Sequence, residues 1–299
     1  MSVLVVGTTA LDSIKTPYSE NPRLLGGSAS HAAVAASFFS PVSIVGVVGS
    51  DFPEDYIKLY QNHGIDLTGL ERREGQTFFW EGEYEVNMNN RQTLETVLGV
   101  IEDWLPEIPS SLREKQYVLL ANCEPKLQRH ILNQTQNSRF VIADTMDLWL
   151  NIARDELMAL LKEIDCLVLN DSEARQLTEI DNVVVAVKKI HELGPKYVIV
   201  KKGEHGSILS TPKGLFIAPA FPITELTDPT GAGDSFVGGL IGYLASAGGE
   251  IEDHFRRAII HGSVTASFCC QGFGLNATTQ TTREAIDARV TELEALVRF

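Results

Sequence analysis

Two carboxylates bracket a flexible turn in residues 227–236, TDPTGAGDSF. Asp228 opens the stretch, and Asp234 follows Gly231-Ala232-Gly233 where SFVGGLIGYL reads as the start of a helix. Glycines cost backbone order and are kept where the chain turns sharply or where something must approach the backbone closely. A glycine-rich turn entering a helix directs unpaired N–H groups at one point, and the helix dipole adds positive potential there. Such a cradle suits phosphoryl oxygens that gather charge during transfer. Asp234, at its rim, is then placed to accept a proton from an attacking hydroxyl. The simpler alternative is an acid that complements the helix dipole beside a structural turn.

The elements that must carry this turn are legible along most of the chain. The runs VLVVG (3–7), SIVGVVG (43–49), YVLLA (117–121), FVIAD (140–144), CLVLN (166–170) and YVIVK (197–201) read as strands buried on both faces. Amphipathic stretches separate them, including ASHAAVAASFF, PEDYIKLYQNHG, PKLQRHILNQT and VVVAVKKIHELG. Continuous β-branched runs alternating with helical periodicity predict βαβ units around a parallel sheet. After residue 233 the pattern is mostly helical, through 252–271 and 282–298.

Residues 75–100 break the rhythm by alternating with period two. Phe78, Trp80, Tyr84 and Val86 fall on one face, and Phe79, Glu81, Glu83, Glu85 and Asn87 on the other. That pattern predicts an antiparallel hairpin, apolar on one side and solvated on the other. With help from residues 12–25 it would form a small β lid over a site that closes and excludes water. The aromatic stripe is expected mainly to pack, with stacking on a sugar or base as the alternative.

Composition narrows the partners. The chain has 299 residues and a net charge of −14, without a concentrated basic run. Nucleic acid and acidic membrane surfaces are therefore poor partners, whereas a small anion can still be held by local backbone dipoles. The four cysteines show no metal-ligand or CxxC spacing. The first residues pass directly into an apolar strand, without a basic leader, and no apolar run spans a bilayer. These features predict a reduced, cytoplasmic protein.

DPTGAGD (228–234) closely resembles the C-terminal signature of the ribokinase-like (PfkB) carbohydrate kinase family, and the following helix extends the likeness. GGSASHAAVAASFF (26–39), VGVVGSDFPEDYIKLYQNHGIDLTGL (45–70), NDSE (170–173), VKKGEHGSIL (200–209) and CQGFGLNATTQTTREAI resemble further family segments, in the family's order and spacing. The resemblance implies a three-layer α/β/α fold with a mostly parallel central sheet and a small β-sheet lid. It also implies one kinase domain over residues 1–299, with the lid built mainly from 12–25 and 75–100.

Site roles follow from the same resemblance. Asp234 would be the general base, and Gly231, Ala232 and Gly233 would supply anion-hole amides. Asn170 and Glu173 would organise Mg²⁺ through waters, although NDSE alone reads as a helix N-cap. Lys201, Gly203 and Gly206 would face ATP, the two glycines also suiting an ordinary hairpin turn. His261 falls where the family often has an Asn beside adenine, and a core or surface histidine is the alternative. Asp228 resembles part of a monovalent-cation loop, which makes K⁺ a candidate ion. On the acceptor side Asp12 would bind hydroxyls, and Gly26 and Gly27 would let the chain pass close to the sugar. His31 stands where the family has Asn, so it blurs the acceptor and not the chemistry.

The expected activity is ATP-dependent phosphorylation of a sugar hydroxyl, the sugar being free or part of a nucleoside. A nucleoside kinase of the adenosine or inosine-guanosine type is the alternative within enzymes. A non-catalytic sugar-binding regulator is the alternative outside them, and a homodimer through the lid is the assembly to test.

Overall fold

The computed structural model describes residues 1–88 and 91–298, so Asn89 and Asn90 of the expected hairpin and the terminal Phe299 lie outside the described residues. In chain order the strands begin with β1 (Val3–Val6), β2 (Ala10–Lys15), β3 (Glu20–Gly26), β4 (Val42–Gly49), β5 (Asp66–Arg73), β6 (Phe78–Tyr84) and β7 (Arg91–Val97). They continue with β8 (Tyr117–Leu120), β9 (Phe140–Asp144), β10 (Cys166–Asn170), β11 (Tyr197–Lys201), β12 (Ser207–Thr211) and β13 (Gly214–Ala218). The helices of the first part are α1 (Ser28–Ser37), α2 (Glu54–Asn62), α3 (Pro125–Leu132), α4 (Asp147–Ile152), α5 (Arg154–Leu160), α6 (Asp171–Thr178) and α7 (Val183–His191). The helical last part holds α8 (Ala232–Ala247), α9 (Ile251–Cys269), α10 (Asn276–Thr279) and α11 (Arg283–Leu296).

The large sheet has the order β13-β12-β11-β10-β9-β8-β1-β4-β5. Its pairs are parallel from β5 through β11, and antiparallel only where β12 and β13 close the far edge. The six apolar runs form six of these strands. β5, β12 and β13 carry more polar residues because they lie at or near the edges, so they lack the continuous apolar signal of strands covered on both faces.

Side-chain alternation splits the interior into two cores. Val3 and Val5 of β1 join α1, α8 and α9 on one face, where Val34, Leu240 and Phe255 are buried. Leu4 and Val6 join α3, α5 and α7 on the other, with Ile131, Leu160 and Ile190. The result is the expected three-layer α/β/α architecture. On the first face α8 lies very close to α1: a side chain at Gly238 or Gly242 would collide with the backbone of Ala32 or Ala36. This approach sets the start of α8 beside α1.

The small sheet has the order β3-β2-β6-β7. β6 and β7 form the expected antiparallel hairpin, but β6 runs parallel to β2 on its other side. A register shift between Glu81 and Gly82 interrupts the simple two-residue alternation. Two assignments of the expected faces are corrected accordingly. Phe79, placed with the acids, packs on the main core at the base of the sheet, while Val86 lies beyond the strand and is 75% exposed. Ile14, Tyr84 and Met88 form a separate cluster with Leu24, Trp80 and Phe273. Among the described residues no helix is long and apolar enough to cross a membrane.

Candidate active site

Parallel sheets bind ligands beyond the carboxyl ends of their strands. Asp144, Asn170 and Lys201 end β9, β10 and β11 side by side, with Asn170 in register with Lys201. The start of α8 faces this edge. Gly231 caps α8 with φ +75°, a left-handed conformation that disfavours other residues. A Cβ at Gly231 would also strike the imidazole of His31. The glycine is therefore needed twice, by its torsion and by the ring packed against it.

The turn presents fewer free donors than its sequence suggests. The Ala232 N–H donates to the Pro229 carbonyl at 3.1 Å, while the Gly231 and Gly233 N–H groups have no partner among the described residues. This corrects the expectation that all three amides are available. A Cβ at Gly233 would lie 3.1 Å from Lys201 Nζ, so the lysine ammonium sits over the same cradle. Lys201 donates to Asp144 Oδ1 and Oδ2 at 3.0 and 2.8 Å. Burial works against its charge, but Asp144 and Glu173 outweigh burial and hold its pKa above the ordinary value.

Asp234 lies in the first turn of α8 and keeps part of its surface open. Its carboxyl is raised to about 7, chiefly by desolvation and then by the charge of Asp144, with Lys201 and Arg91 opposing. A carboxylate with a pKa near neutrality is poised to take a proton at physiological pH. Asp12, 5% exposed, lies over Gly26, where a Cβ would overlap its carboxyl group. It too is raised to about 7, by burial first; the Gly27 N–H opposes this, and the charges of Asp228 and Asp234 add to it. Asp12, Gly26, Gly27, His31 and the Gly231–Asp234 turn are thus brought together from three separate segments.

His31 is 1% exposed, and burial lowers its pKa to about 4, so the ring is neutral. Its Nδ1 lies 3.8 Å from Cys269 Sγ, and its Nε2 has no partner among the described residues. Asp228 is fully buried. Its Oδ1 accepts from the Thr230 N–H at 2.8 Å and its Oδ2 from the Gly274 N–H at 3.1 Å. These bonds tie the turn to the loop after α9.

The residues expected near the nucleotide separate into two groups. Asn170 and Glu173 form a reciprocal capping box on α6: Asn170 Oδ1 accepts from the Glu173 N–H at 2.8 Å, and Glu173 Oε2 from the Asn170 N–H at 2.7 Å. The ordinary N-cap interpretation is therefore realised. Yet Glu173 is also buried, and burial first raises its carboxyl to about 7, with Lys201 opposing and Asp144 adding. Gly203 and Gly206 form the turn between β11 and β12, Gly203 exposed and Gly206 held against the Ala218 carbonyl.

His261 makes its side-chain contacts within the helical layer. Its ring stacks on Tyr243 at 4.0 Å and meets Phe39 edge-on, and its Nδ1 donates to the Arg257 carbonyl at 2.8 Å. Nε2 faces Asp287 of α11 at 3.5 Å. The core-histidine alternative describes it, because its position on α9 faces the helical layer.

Three participants were not singled out from the sequence. Asp144 could have been found as a carboxylate ending a buried parallel strand. Tyr84 is 7% exposed, and its hydroxyl lies 3.0 Å from Thr230 Oγ1, next to the Gly231 cap. Arg91, in register with Tyr84, lies over Trp80 and brings a positive charge toward Asp234. Neither of the last two carries a local signal, because their contacts join segments far apart in sequence.

Comparison with known proteins gives a consistent picture. The model of the pfkB family carbohydrate kinases matches residues 3–282. A cytidine kinase of Thermococcus kodakarensis is 26% identical over 263 residues, covering 86% of this chain and 92% of that protein. A deoxyribokinase of Salmonella typhimurium is 25% identical over 262 residues, covering 83% and 82%. A solved structure of a Burkholderia thailandensis nucleoside kinase in complex with inosine shares the fold, with a TM-score of 0.79 at 20% identity, covering 99% of this chain and 97% of that one.

Proposed function

Because the chain belongs to the pfkB family of carbohydrate kinases, we propose that it transfers the γ-phosphoryl group of ATP to a hydroxyl of a small sugar, free or carried by a nucleoside. The observation that carries this reading is the pairing of Asp234 with a donor cradle. A partly open carboxylate, raised to about 7, stands at the N-terminus of α8 beside the free amides of Gly231 and Gly233. Asp234 takes the proton of the acceptor hydroxyl as its oxygen bonds to phosphorus and the bond to ADP breaks. The two amides and Lys201 meet the charge that gathers on the transferred oxygens.

Asp12 holds acceptor hydroxyls, with Gly26 and Gly27 leaving the backbone close to the sugar. His31 offers its unpartnered Nε2 from the same side. The small sheet acts as a lid. On the nucleotide side Lys201, Gly203 and Gly206 face ATP. Among the described residues no three His, Cys, Asp or Glu side chains are grouped to hold a metal alone. That sparse donor set suits Mg²⁺, which keeps several waters and takes one or two carboxylates with substrate phosphates. Asn170, Glu173 and Asp144 are the side chains that would orient it. When bound, Mg²⁺ offsets phosphate charge.

A nucleoside acceptor is the second reading, favoured by the full-length likeness to a cytidine kinase. An ADP-release screen over ribose, fructose, 2-keto-3-deoxygluconate, adenosine, cytidine and inosine tests both. Turnover with free sugars supports the broader first reading, and turnover with nucleosides alone narrows it to the second. No ADP release with any acceptor would reject the phosphotransfer assignment for these classes.

A further inference from the structure

The Thr230 residue is a node. Its N–H donates to Asp228, its carbonyl accepts from the Cys269 thiol at 3.3 Å, and its hydroxyl meets Tyr84 at 3.0 Å. The first two partners belong to the packed body of the protein, and Tyr84 belongs to the small sheet. Thr230 immediately precedes Gly231, whose left-handed torsion sets where the donor cradle points. The contact spans 146 positions in sequence and is made by a tyrosine that is otherwise buried with Ile14 and Met88.

A second connection runs in parallel. Phe273 packs against the same small-sheet cluster, and the next residue, Gly274, donates to Asp228 at 3.1 Å. The small sheet therefore grips the turn through a hydroxyl on one side and through the loop after α9 on the other. We infer that Tyr84 is a positioning residue that couples the placement of the lid to the geometry of the Gly231–Gly233 cradle through Thr230. This rests on the kinase reading for its consequence in catalysis, but the coupling itself is a property of the free protein.

The coupling has a direction. Cys269 and His31 hold the turn from the buried side, and Asp228 links it to the loop that carries Phe273. The Tyr84 hydroxyl adds the direct restraint from the lid, so the turn is fully ordered when the small sheet is seated. Tyr84→Phe removes that hydrogen bond while keeping the ring that packs with Ile14, Met88 and Phe273. A net intramolecular hydrogen bond corresponds to about a three- to tenfold change in an equilibrium.

The experiment uses amide hydrogen exchange on the full-length free protein, wild type, Tyr84→Phe and Thr230→Val. Both variants should speed exchange of the peptide covering 228–235 about three- to tenfold, with strand peptides of the large sheet unchanged. The double variant should add little beyond either single one, because both remove the same bond. Unchanged exchange at 228–235 in Tyr84→Phe, or full additivity of the two substitutions, would overturn the coupling. Tyr84→Phe should also lower kcat by a similar factor while acceptor KM changes less than twofold, as expected when an interaction orders the cradle and does not bind the acceptor. A wild type without kinase activity that still shows the exchange pattern would reject the functional reading and leave the coupling standing. Altered acceptor KM at constant kcat would instead make Tyr84 part of the acceptor pocket and overturn the positioning role.

Discussion

The two sides of the candidate site use similar residue types under different constraint. On the proposed acceptor side, Asp12 and Asp234 are carboxylates that burial raises to about 7, and Gly231 has the ring of His31 against it. On the proposed nucleotide side, Asn170 and Glu173 close a capping box, and Gly203 makes an exposed turn where a Cβ would meet nothing within 4 Å among the described residues. Asp12 and Asp234 are brought together by tertiary packing, and of the first group only Gly231 also serves local structure, as the cap of α8. The second performs ordinary local duties and carries function only through what surrounds it. A motif can thus be satisfied locally and still stand at a site, as Glu173 caps α6 and is also a buried carboxyl raised to about 7.

The largest effect should come from Asp234→Asn. The amide keeps the size and cannot take a proton, so turnover at saturating acceptor should fall by about 10²–10⁴-fold with the fold intact. Coupled ADP release together with circular dichroism checks this. Near-normal turnover would place the base elsewhere and erase the contrast between the two sides.

The pH dependence should follow the same carboxylate. Asp234 must be ionised to act, and its pKa is about 7, so kcat should decline by about tenfold per unit on the acid side of neutrality. Stability has the opposite sign. A carboxyl whose folded pKa lies above its unfolded value favours the folded state fully at pH below the unfolded value of 3.8, and this contribution is lost as pH rises toward 7. Asp234→Asn should therefore raise Tm at pH 8 more than at pH 5, and equal shifts at the two pH values would contradict the raised pKa.

The glycines sharpen the comparison. Gly231→Ala must fit a methyl group into the His31 ring as well as a left-handed torsion, whereas Gly203→Ala bears only the torsion, φ +55°. Overpacking costs about 1–3 kcal/mol, so Gly231→Ala should be destabilised beyond Gly203→Ala by about that amount in urea unfolding. Adding His31→Ala to Gly231→Ala should recover part of the difference. No recovery would mean that the ring is not the obstacle.

The smallest effect should be that of Glu173→Gln. Glutamine can still complete a capping box, so α6 keeps its N-terminus while a buried negative charge disappears. The Mg²⁺ concentration for half-maximal activity should rise about tenfold, the lower end of the effect of removing an outer partner of a metal, with acceptor KM nearly constant. A magnesium titration at fixed ATP measures it. An unchanged profile would leave Glu173 as a helix cap alone.

Much of this molecule was determined by local sequence. The six short apolar runs fit strands covered on both faces, because a continuous apolar run has no solvent face, and each lies in the large sheet. The period-two stretch at 75–100 marked the small sheet, and the turn before α8 announced its N-terminus through Gly231. What the sequence could not decide is which side chains meet. Asp144 and Lys201 pair because β9, β10 and β11 are adjacent in the sheet order, and His31 lies on Gly231 because Gly238 and Gly242 let α8 approach α1. Tyr84 reaches Thr230 because β6 pairs parallel with β2, a neighbour that hairpin periodicity cannot reveal. His261 faces Tyr243 and Asp287 although its place in the series suggested the nucleotide, because the face of α9 it occupies is set by the packing of α8 and α11. Local propensity and periodicity act over a few residues. Contacts between distant segments, and the desolvation that raises the carboxyls of Asp12 and Asp234, exist only once the layers have packed.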